Sequence, residues 1–247
     1  MVLLLDIGNT HTHFGTATRG RILAGGEVPT QEWQSGAVPE TIRRFASAPE
    51  HIALCSVVPS ATKIARTVLK PSKSPLFQLD HRTTRGVGID YPKPETIGAD
   101  RLANAIAAHA RFGGPVVVVG FGTAVAFDIV SGAGNYVGGI IAPGLSAMTS
   151  YLHEKTALLP RIEIRDTKAV IGKSTAEAML IGAVHGYRGL IRELIHELKR
   201  ELGGKRLPVI ATGGYARLMA RRLTEITAVD PLLTLKGLHL AWKMNQL

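Results

Sequence analysis

Cysteine is almost missing from this chain: Cys55 stands alone among 247 residues. No disulfide can close within the chain, no structural zinc site can be built from several cysteines, and a reducing, cytoplasmic setting is favoured. Charge is sparse at 19% and aromatic residues at 5%, against 45% apolar residues, so the composition is that of a folded protein rather than a disordered one. The length suits one or two compact lobes, not a small stapled scaffold or a repeat array.

Long apolar runs are also absent. Met1 to Leu5 is apolar for five residues without a basic leader, which reads as a buried strand and not as a signal peptide. The 25 residues between Asp128 and Glu154 lack Asp, Glu, Lys and Arg, enough length to span a bilayer, but they hold five glycines and Pro143. They read instead as a hairpin and a turn into a helix, and no transmembrane segment is expected.

Acidic residues are the scarcer sign, 19 against 29 Lys and Arg, for a net charge of +10. Nucleic acid, an anionic membrane and small anionic substrates would all suit that balance. Nine of the basic residues fall between Arg188 and Arg222 with only Tyr215 interleaved, a pattern of a solvated helix face rather than of a base-stacking platform.

Periodicity divides the chain into alternating elements. Strands are expected at Val2–Asp6, His11–Ala17, Arg21–Val28, His51–Val57, Leu76–Leu79, Val116–Val119, Ala124–Val130, Tyr136–Ile141 and Leu207–Ala211, the last of them. Helices are expected at Pro39–Ala48, Pro59–Leu69 and Ala99–Phe112, after Pro143, over a long run from Ser174 to Leu202, and after Gly213 and Pro231. His81 to Ile97 reads as a loop between lobes or over a site.

Two short segments resemble each other. Asp6-Ile7-Gly8-Asn9-Thr10 and Gly120-Phe121-Gly122-Thr123-Ala124 each follow a Val/Leu-rich strand and lead into an alternating one, and Gly122 lies 114 residues after Gly8 (122 − 8). Near half the chain length, that offset suggests two related lobes, each presenting a small-residue turn to a shared cleft. In such a turn glycine lets backbone N–H groups approach a phosphate, Asn9 and Thr10 add donors, and Asp6 could hold magnesium through water; a plain hairpin turn is the alternative.

Familiar phosphate loops do not fit. Gly172-Lys173-Ser174-Thr175 imitates the end of a Walker loop, but the earlier glycine would fall at Thr167. Gly120-Phe121-Gly122 is followed by Val125 where a dinucleotide fingerprint needs its third glycine. His11 and His13 share a strand face as two metal ligands might, without an evident third. Gly98-Ala99-Asp100-Arg101 opens a helix: Asp100 is either its cap or a general base for a hydroxyl, and Arg101 either solvated or a clamp for an anion. Thr212-Gly213-Gly214 is a glycine turn or a surface for a nucleotide base.

Taken in order, Asp6-Ile7-Gly8-Asn9-Thr10, Tyr91, Gly98-Ala99-Asp100-Arg101, Gly122-Thr123-Ala124 with Asp128, Pro143-Gly144, Thr212-Gly213-Gly214 and Leu235-Lys236-Gly237-Leu238 resemble the type III pantothenate kinases. The resemblance implies an α/β fold of two ribonuclease H-like lobes, mixed sheets flanked by helices, in the acetate and sugar kinase, Hsp70 and actin superfamily. The lobes are expected at residues 1–97, with the inter-lobe loop, and 98–247. It also implies ATP-dependent phosphorylation of pantothenate to 4′-phosphopantothenate, the first step of coenzyme A synthesis. By motif, Asp6, Ile7, Gly8, Asn9, Thr10, His11, Thr12 and His13 would form the first phosphate segment. Gly122, Thr123, Thr212, Gly213 and Gly214 would meet ATP from the second lobe. Tyr91 and Gly98 to Arg101 would bind pantothenate with Asp100 as proton acceptor, and Thr175 matches a threonine supplied at a homodimer interface. Asp6 would hold magnesium through water.

The chain departs from the family at Gly120, where an aspartate associated with a potassium or ammonium ion is usual. Glycine offers only a carbonyl, so weakened monovalent-cation binding is expected. Two other functions compete with the kinase: a non-catalytic, nucleotide-binding regulator of the same fold, which Gly120 favours and Asp6, Asp100 and Arg101 oppose, and a basic nucleic-acid-binding protein.

Overall fold

The computed structural model describes residues 1–69, 74–204 and 206–246. Its first half runs β1 (Val2–Ile7), β2 (His11–Thr18), β3 (Arg21–Pro29), α1 (Glu40–Phe45), β4 (His51–Ser56), α2 (Pro59–Leu69), β5 (Leu76–Gln78), β6 (Gly88–Ile89) and α3 (Ala99–Phe112). The second runs β7 (Val116–Phe121), β8 (Ala124–Val130), β9 (Asn135–Pro143), α4 (Leu145–Lys155), α5 (Thr175–Ile181), α6 (Tyr187–Glu201), β10 (Val209–Gly213), α7 (Ala216–Ala220), β11 (Ala228–Val229) and α8 (Leu233–Met244).

Two compact units result. Unit 1 comprises Met1–Gly114, Gly132–Gly138 and Leu232–Leu247; unit 2 comprises Pro115–Ser131 and Gly139–Pro231. The division differs from the one expected between residues 97 and 98. Helix α3 is apolar almost all round, with Leu102, Ala103, Ala105 and Ile106 buried, and its alanines admit α8 so closely that a Cβ on Gly237 would stand 1.7 Å from the Ala103 carbonyl oxygen. That packing draws α3 and the C-terminal helix into unit 1.

In unit 1 the sheet order is β3-β2-β1-β4-β5, with β1 antiparallel to β2 and parallel to β4. A continuous apolar run suits a central strand covered on both faces. Leu3, Leu5 and Ile7 pack with Phe14, Trp33 and Leu54 on one side, while α3 and α8 pack against β1 and β4. By the period of two, Asp6 and Cys55 fall on the face opposite Leu5 and Leu54.

Unit 2 repeats this order as β9-β8-β7-β10-β11, with β7 antiparallel to β8 and parallel to β10. Val116 opens β7 114 residues after Val2 opens β1, and Asn135 opens β9 114 residues after Arg21 opens β3. The half-chain offset read from two five-residue turns is thus matched by the pairing of whole sheets.

Three elements differ from expectation. The run from Ser174 to Leu202 is α5 and α6 separated by a π-helical turn at Gly182–Gly186. Its buried pairs Met179/Leu180, Ala183/Val184 and Tyr187/Arg188 recur every four residues. A plain α-helix would rotate such pairs by about 40° per step, and the wider turn keeps them facing inward. The last strand is not β10 but the two-residue β11, too short to leave a periodic signal. Gly88–Ile89, inside the expected loop, forms β6 by pairing parallel with Asn135 and Tyr136.

Part of the basic stretch bonds within unit 2, while Arg200, Arg206, Arg217, Arg221 and Arg222 are exposed, as on a solvated face. Arg188, buried, bonds Asp166 at 2.9 Å and the Leu218 carbonyl at 2.9 Å; Arg192 bonds Glu225 at 3.0 Å; Arg200 meets Glu193 and Glu197. Lys205 lies outside the described residues. No helix among the described residues is long and apolar enough to cross a membrane.

Candidate active site

Strand register sets a row of ionisable groups across unit 1. Asp6 is opposite His13 on β2 and Cys55 on β4, and His13 is opposite Glu27 on β3, so the four side chains share one face. The Cys55 thiol donates to Asp6 Oδ1 at 3.4 Å, and His13 Nδ1 lies 3.3 Å from Glu27 Oε2. Burial, and then the negative charge of Asp100, push the Asp6 carboxyl up to about 7, against the Cys55 hydrogen bond, which lowers it. Among the described residues no group of three or more His, Cys, Asp or Glu is placed to hold a metal, so His11 and His13 gain no third ligand.

Beyond Asp6 the chain turns at Gly8-Asn9-Thr10-His11, closed by the Gly8 N–H donating to the His11 carbonyl at 3.0 Å. Asn9 and Thr10 are exposed at the tip. The turn is held from behind by residues without a motif. Thr30 Oγ1 donates to the Gly8 carbonyl at 2.7 Å and lies 3.1 Å from Thr12 Oγ1, its N–H donates to the Thr10 carbonyl at 3.0 Å, and Trp33 Nε1 donates to Thr12 Oγ1 at 3.1 Å. Thr12, Thr30 and Trp33 are buried, so the network fixes the turn before any ligand arrives. Alternating burial could have flagged Thr12, but nothing local marks Thr30 or Trp33.

Asp100 is not the cap of α3. Gly98 holds that position without a side-chain bond, and Asp100 Oδ1, one residue further in, accepts from the Arg101 N–H at 2.9 Å. Gly98 leaves the space this carboxylate occupies: a Cβ there would stand 2.5 Å from Asp100 Oδ1 and displace it. Burial raises the Asp100 carboxyl despite the Arg101 N–H and guanidinium beside it, which lower it. Two partly buried carboxyls, Asp6 and Asp100, therefore sit together with each raised. The Arg101 guanidinium lies 5.7 Å from the ring centroid of Tyr136, and the Tyr91 ring meets Tyr136 edge-on at 6.1 Å. A cavity of about 1410 Å³ opens beside these elements, lined by Val57, Lys63, Arg66, Gly98 and Ala99, but by neither carboxyl.

In unit 2 the second turn is equally constrained. The Gly122 N–H donates to the Ala124 carbonyl at 3.0 Å, and the Gly144 N–H donates to the Thr123 carbonyl at 3.1 Å. A Cβ on Gly144 would stand 2.2 Å from that oxygen, which explains the glycine after Pro143. Thr212 pairs with Gly120, and Gly213, at φ +89°, lies against the Phe121 backbone. Gly120 is under no such demand: its φ is not left-handed, and a Cβ would meet Ala126 O at 3.8 Å and Thr212 Cγ2 at 3.9 Å. Thr175 is exposed in the first turn of α5, which Ser174 caps by accepting from the Glu177 N–H at 3.2 Å.

A sequence model of the type III pantothenate kinases matches residues 2–197. The type III pantothenate kinase of Methylacidiphilum infernorum is 46% identical over 240 residues, covering 97% of this chain and 87% of the relative. That of Akkermansia muciniphila is 46% identical over 247 residues, covering 98% of each. A solved structure from Sinorhizobium meliloti, described as a 2-dehydro-3-deoxygalactonokinase, covers 99% of both chains with a TM-score of 0.60 at 15% identity, a likeness of fold alone. The two chains share a fold of mixed sheets flanked by helices.

Proposed function

The chain belongs to the type III pantothenate kinase family, and we infer from that premise that it transfers the γ-phosphoryl group of ATP to pantothenate, giving 4′-phosphopantothenate and ADP. The observation that carries the reading to residues is the pair of raised carboxyls, Asp6 at the end of β1 and Asp100 in the first turn of α3.

Asp100 is the proton acceptor. Its burial makes the ionised carboxylate a stronger base than an exposed aspartate, and the Arg101 N–H orients it by bonding Oδ1 at 2.9 Å. As the hydroxyl oxygen attacks the γ-phosphorus, the bond from phosphorus to the β–γ bridging oxygen breaks, ADP departs, and the hydroxyl proton passes to Asp100. Little covalent work is left to the protein beyond alignment and neutralisation of phosphate oxygens. The Gly8–His11 turn, pre-set by Thr30 and Thr12, offers backbone and side-chain donors to phosphate, with His13 at its far end. Gly122, Thr123, Thr212, Gly213 and Gly214 are the nucleotide residues of unit 2. Arg101 and Tyr91 take the acceptor, the guanidinium matching its carboxylate.

Magnesium fits Asp6: a raised carboxyl beside a second one, with a weak thiol donor, gains most from a divalent cation, which Asp6 would hold through water. When bound it would neutralise phosphate charge. The monovalent-cation position does not fit, because Gly120 supplies no carboxylate although its backbone would accept one. We further propose a homodimer in which Thr175 serves the partner's acceptor site. It is supported by the apolar side chains Ile141, Tyr151, Leu158, Val170 and Ile171 of unit 2, between 61% and 90% exposed, which a partner subunit would cover. A buried, unpaired Cys55 suits a reducing cytoplasm.

Purified protein with magnesium and ATP should convert pantothenate to its phosphate by mass spectrometry. Absence of product across potassium, ammonium and sodium buffers would refute the assignment.

A further inference from the structure

Tyr136 carries no motif and sits in a run of apolar and glycine residues, yet it touches both side chains assigned to the acceptor. It is 0% exposed at the start of β9. Arg101 lies over its ring face at 5.7 Å, and Tyr91 packs against it edge-on, at 6.1 Å and 67°. The backbone makes the same connection: Ile89 pairs with Tyr136, and the Asp90 N–H, one residue before Tyr91, donates to the Tyr136 carbonyl at 2.9 Å. Gly138, two residues on, adopts φ +132°, and Tyr91 lies beside it, its Cε2 3.6 Å from where a Cβ would stand. Thus the loop bearing Tyr91 and the helix turn bearing Arg101 meet on one ring.

A guanidinium over an aromatic face is attracted by the ring quadrupole and loses rotamer freedom. Its planar fork is then presented in one orientation, which is what two parallel hydrogen bonds to a carboxylate require. The ring contact thus lowers the cost of ordering Arg101 when a carboxylate binds.

We propose that Tyr136 is a positioning residue of the acceptor site, its ring fixing Arg101 and Tyr91 together and so setting affinity for the carboxylated acceptor. The proposal rests on the reading that Arg101 and Tyr91 bind pantothenate. Because the pairing of β6 with β9 is made by backbone, side-chain substitution tests the ring separately from the loop.

The test is calorimetric titration of the full chain with pantothenate, alongside KM for both substrates, in Tyr136→Leu, Tyr136→Phe, Arg101→Ala and Arg101→Ala/Tyr136→Leu. Tyr136→Leu should weaken pantothenate about 5- to 30-fold, the span of a partly desolvated cation–π contact, and leave KM for ATP within about twofold. Tyr136→Phe should restore affinity to within about twofold, and Tyr136→Leu should matter less in the Arg101→Ala background. A folded Tyr136→Leu with unchanged pantothenate affinity, equal loss for both substrates, or no rescue by phenylalanine would overturn the proposal. If Arg101→Ala leaves pantothenate binding intact, the underlying assignment of the acceptor site fails instead. Thermal melting checks folding, and should leucine not be tolerated, Tyr136→Met is read in its place by the same criteria.

Discussion

Replacing Asp100 by asparagine separates chemistry from architecture, because the structure shows which of its interactions asparagine keeps. The Arg101 N–H bonds Oδ1 at 2.9 Å, a contact an amide oxygen reproduces, and the helix cap is Gly98, which the substitution does not touch. Loss of a negative charge in the first turn of α3 should cost about 0.3–1 kcal/mol. Relief of burial and of repulsion with Asp6 opposes that, so the fold should survive with a nearly unchanged melting temperature. Turnover, in contrast, should fall about 10²- to 10⁴-fold, the contribution of a positioned general base. A second readout follows from Asp6, whose carboxyl is raised from 3.8 to about 7 with the charge of Asp100 as the second cause. Between those values the folded protein holds a proton at Asp6 that the unfolded chain has released, so the Asp6 contribution to stability is full below about pH 4 and declines as pH rises towards 7. A shift of this size corresponds to at most about 4 kcal/mol, less whatever water at this partly open site screens. Asp100→Asn removes one cause, and the decline should become shallower. Denaturant unfolding across this pH range without nucleotide or magnesium, together with a coupled assay of ADP release, measures both effects. A folded variant that keeps full turnover would return Asp100 to a structural role, and an unchanged pH slope would show that the two carboxyls do not repel.

Gly120→Asp should fold, since its φ is not left-handed and the nearest neighbours of a Cβ are 3.8 and 3.9 Å away, and should increase activation by potassium at constant ionic strength. Strong, saturable activation of the unmodified protein at low potassium would contradict this. Thr30→Val should raise KM for ATP about fivefold and lower stability by about 1–3 kcal/mol, because the Gly8 carbonyl and Thr12 hydroxyl lose a buried partner; steady-state kinetics showing an unchanged KM would remove Thr30 from the turn's support. Ile171→Asp, at a site 72% exposed, should convert dimer to monomer in light scattering at unchanged secondary structure, and a stable dimer would move the interface elsewhere.

Much of this protein is written locally. The runs Val2–Ile7 and Val116–Phe121, and the alternation that follows each, announce central strands and hairpins, because apolar periodicity and glycine turns act over a few residues. Gly98-Ala99-Asp100-Arg101 marks a helix start for the same reason. The sequence also located the second turn by its 114-residue offset, since a duplicated sheet keeps its spacing up to the third strand before insertions break it.

Tertiary structure decided what those pieces do. Asp100 reads in the sequence as either a cap or a general base, and the structure puts it in the first turn, inside the Gly98 cap and partly buried, with α3 packed into unit 1. Asp6 is an ordinary strand-end carboxyl until burial and Asp100, 94 residues away in the chain (100 − 6), raise it. Thr30 and Trp33 stand behind the phosphate turn, and Tyr136 beneath Arg101 and Tyr91, through contacts between distant segments. Periodicity records which face of an element is buried, and a turn residue records its own φ, but neither records what the buried face meets. Desolvation and charge at a site are sums over whatever the whole fold brings near, and they exist only once the chain has closed.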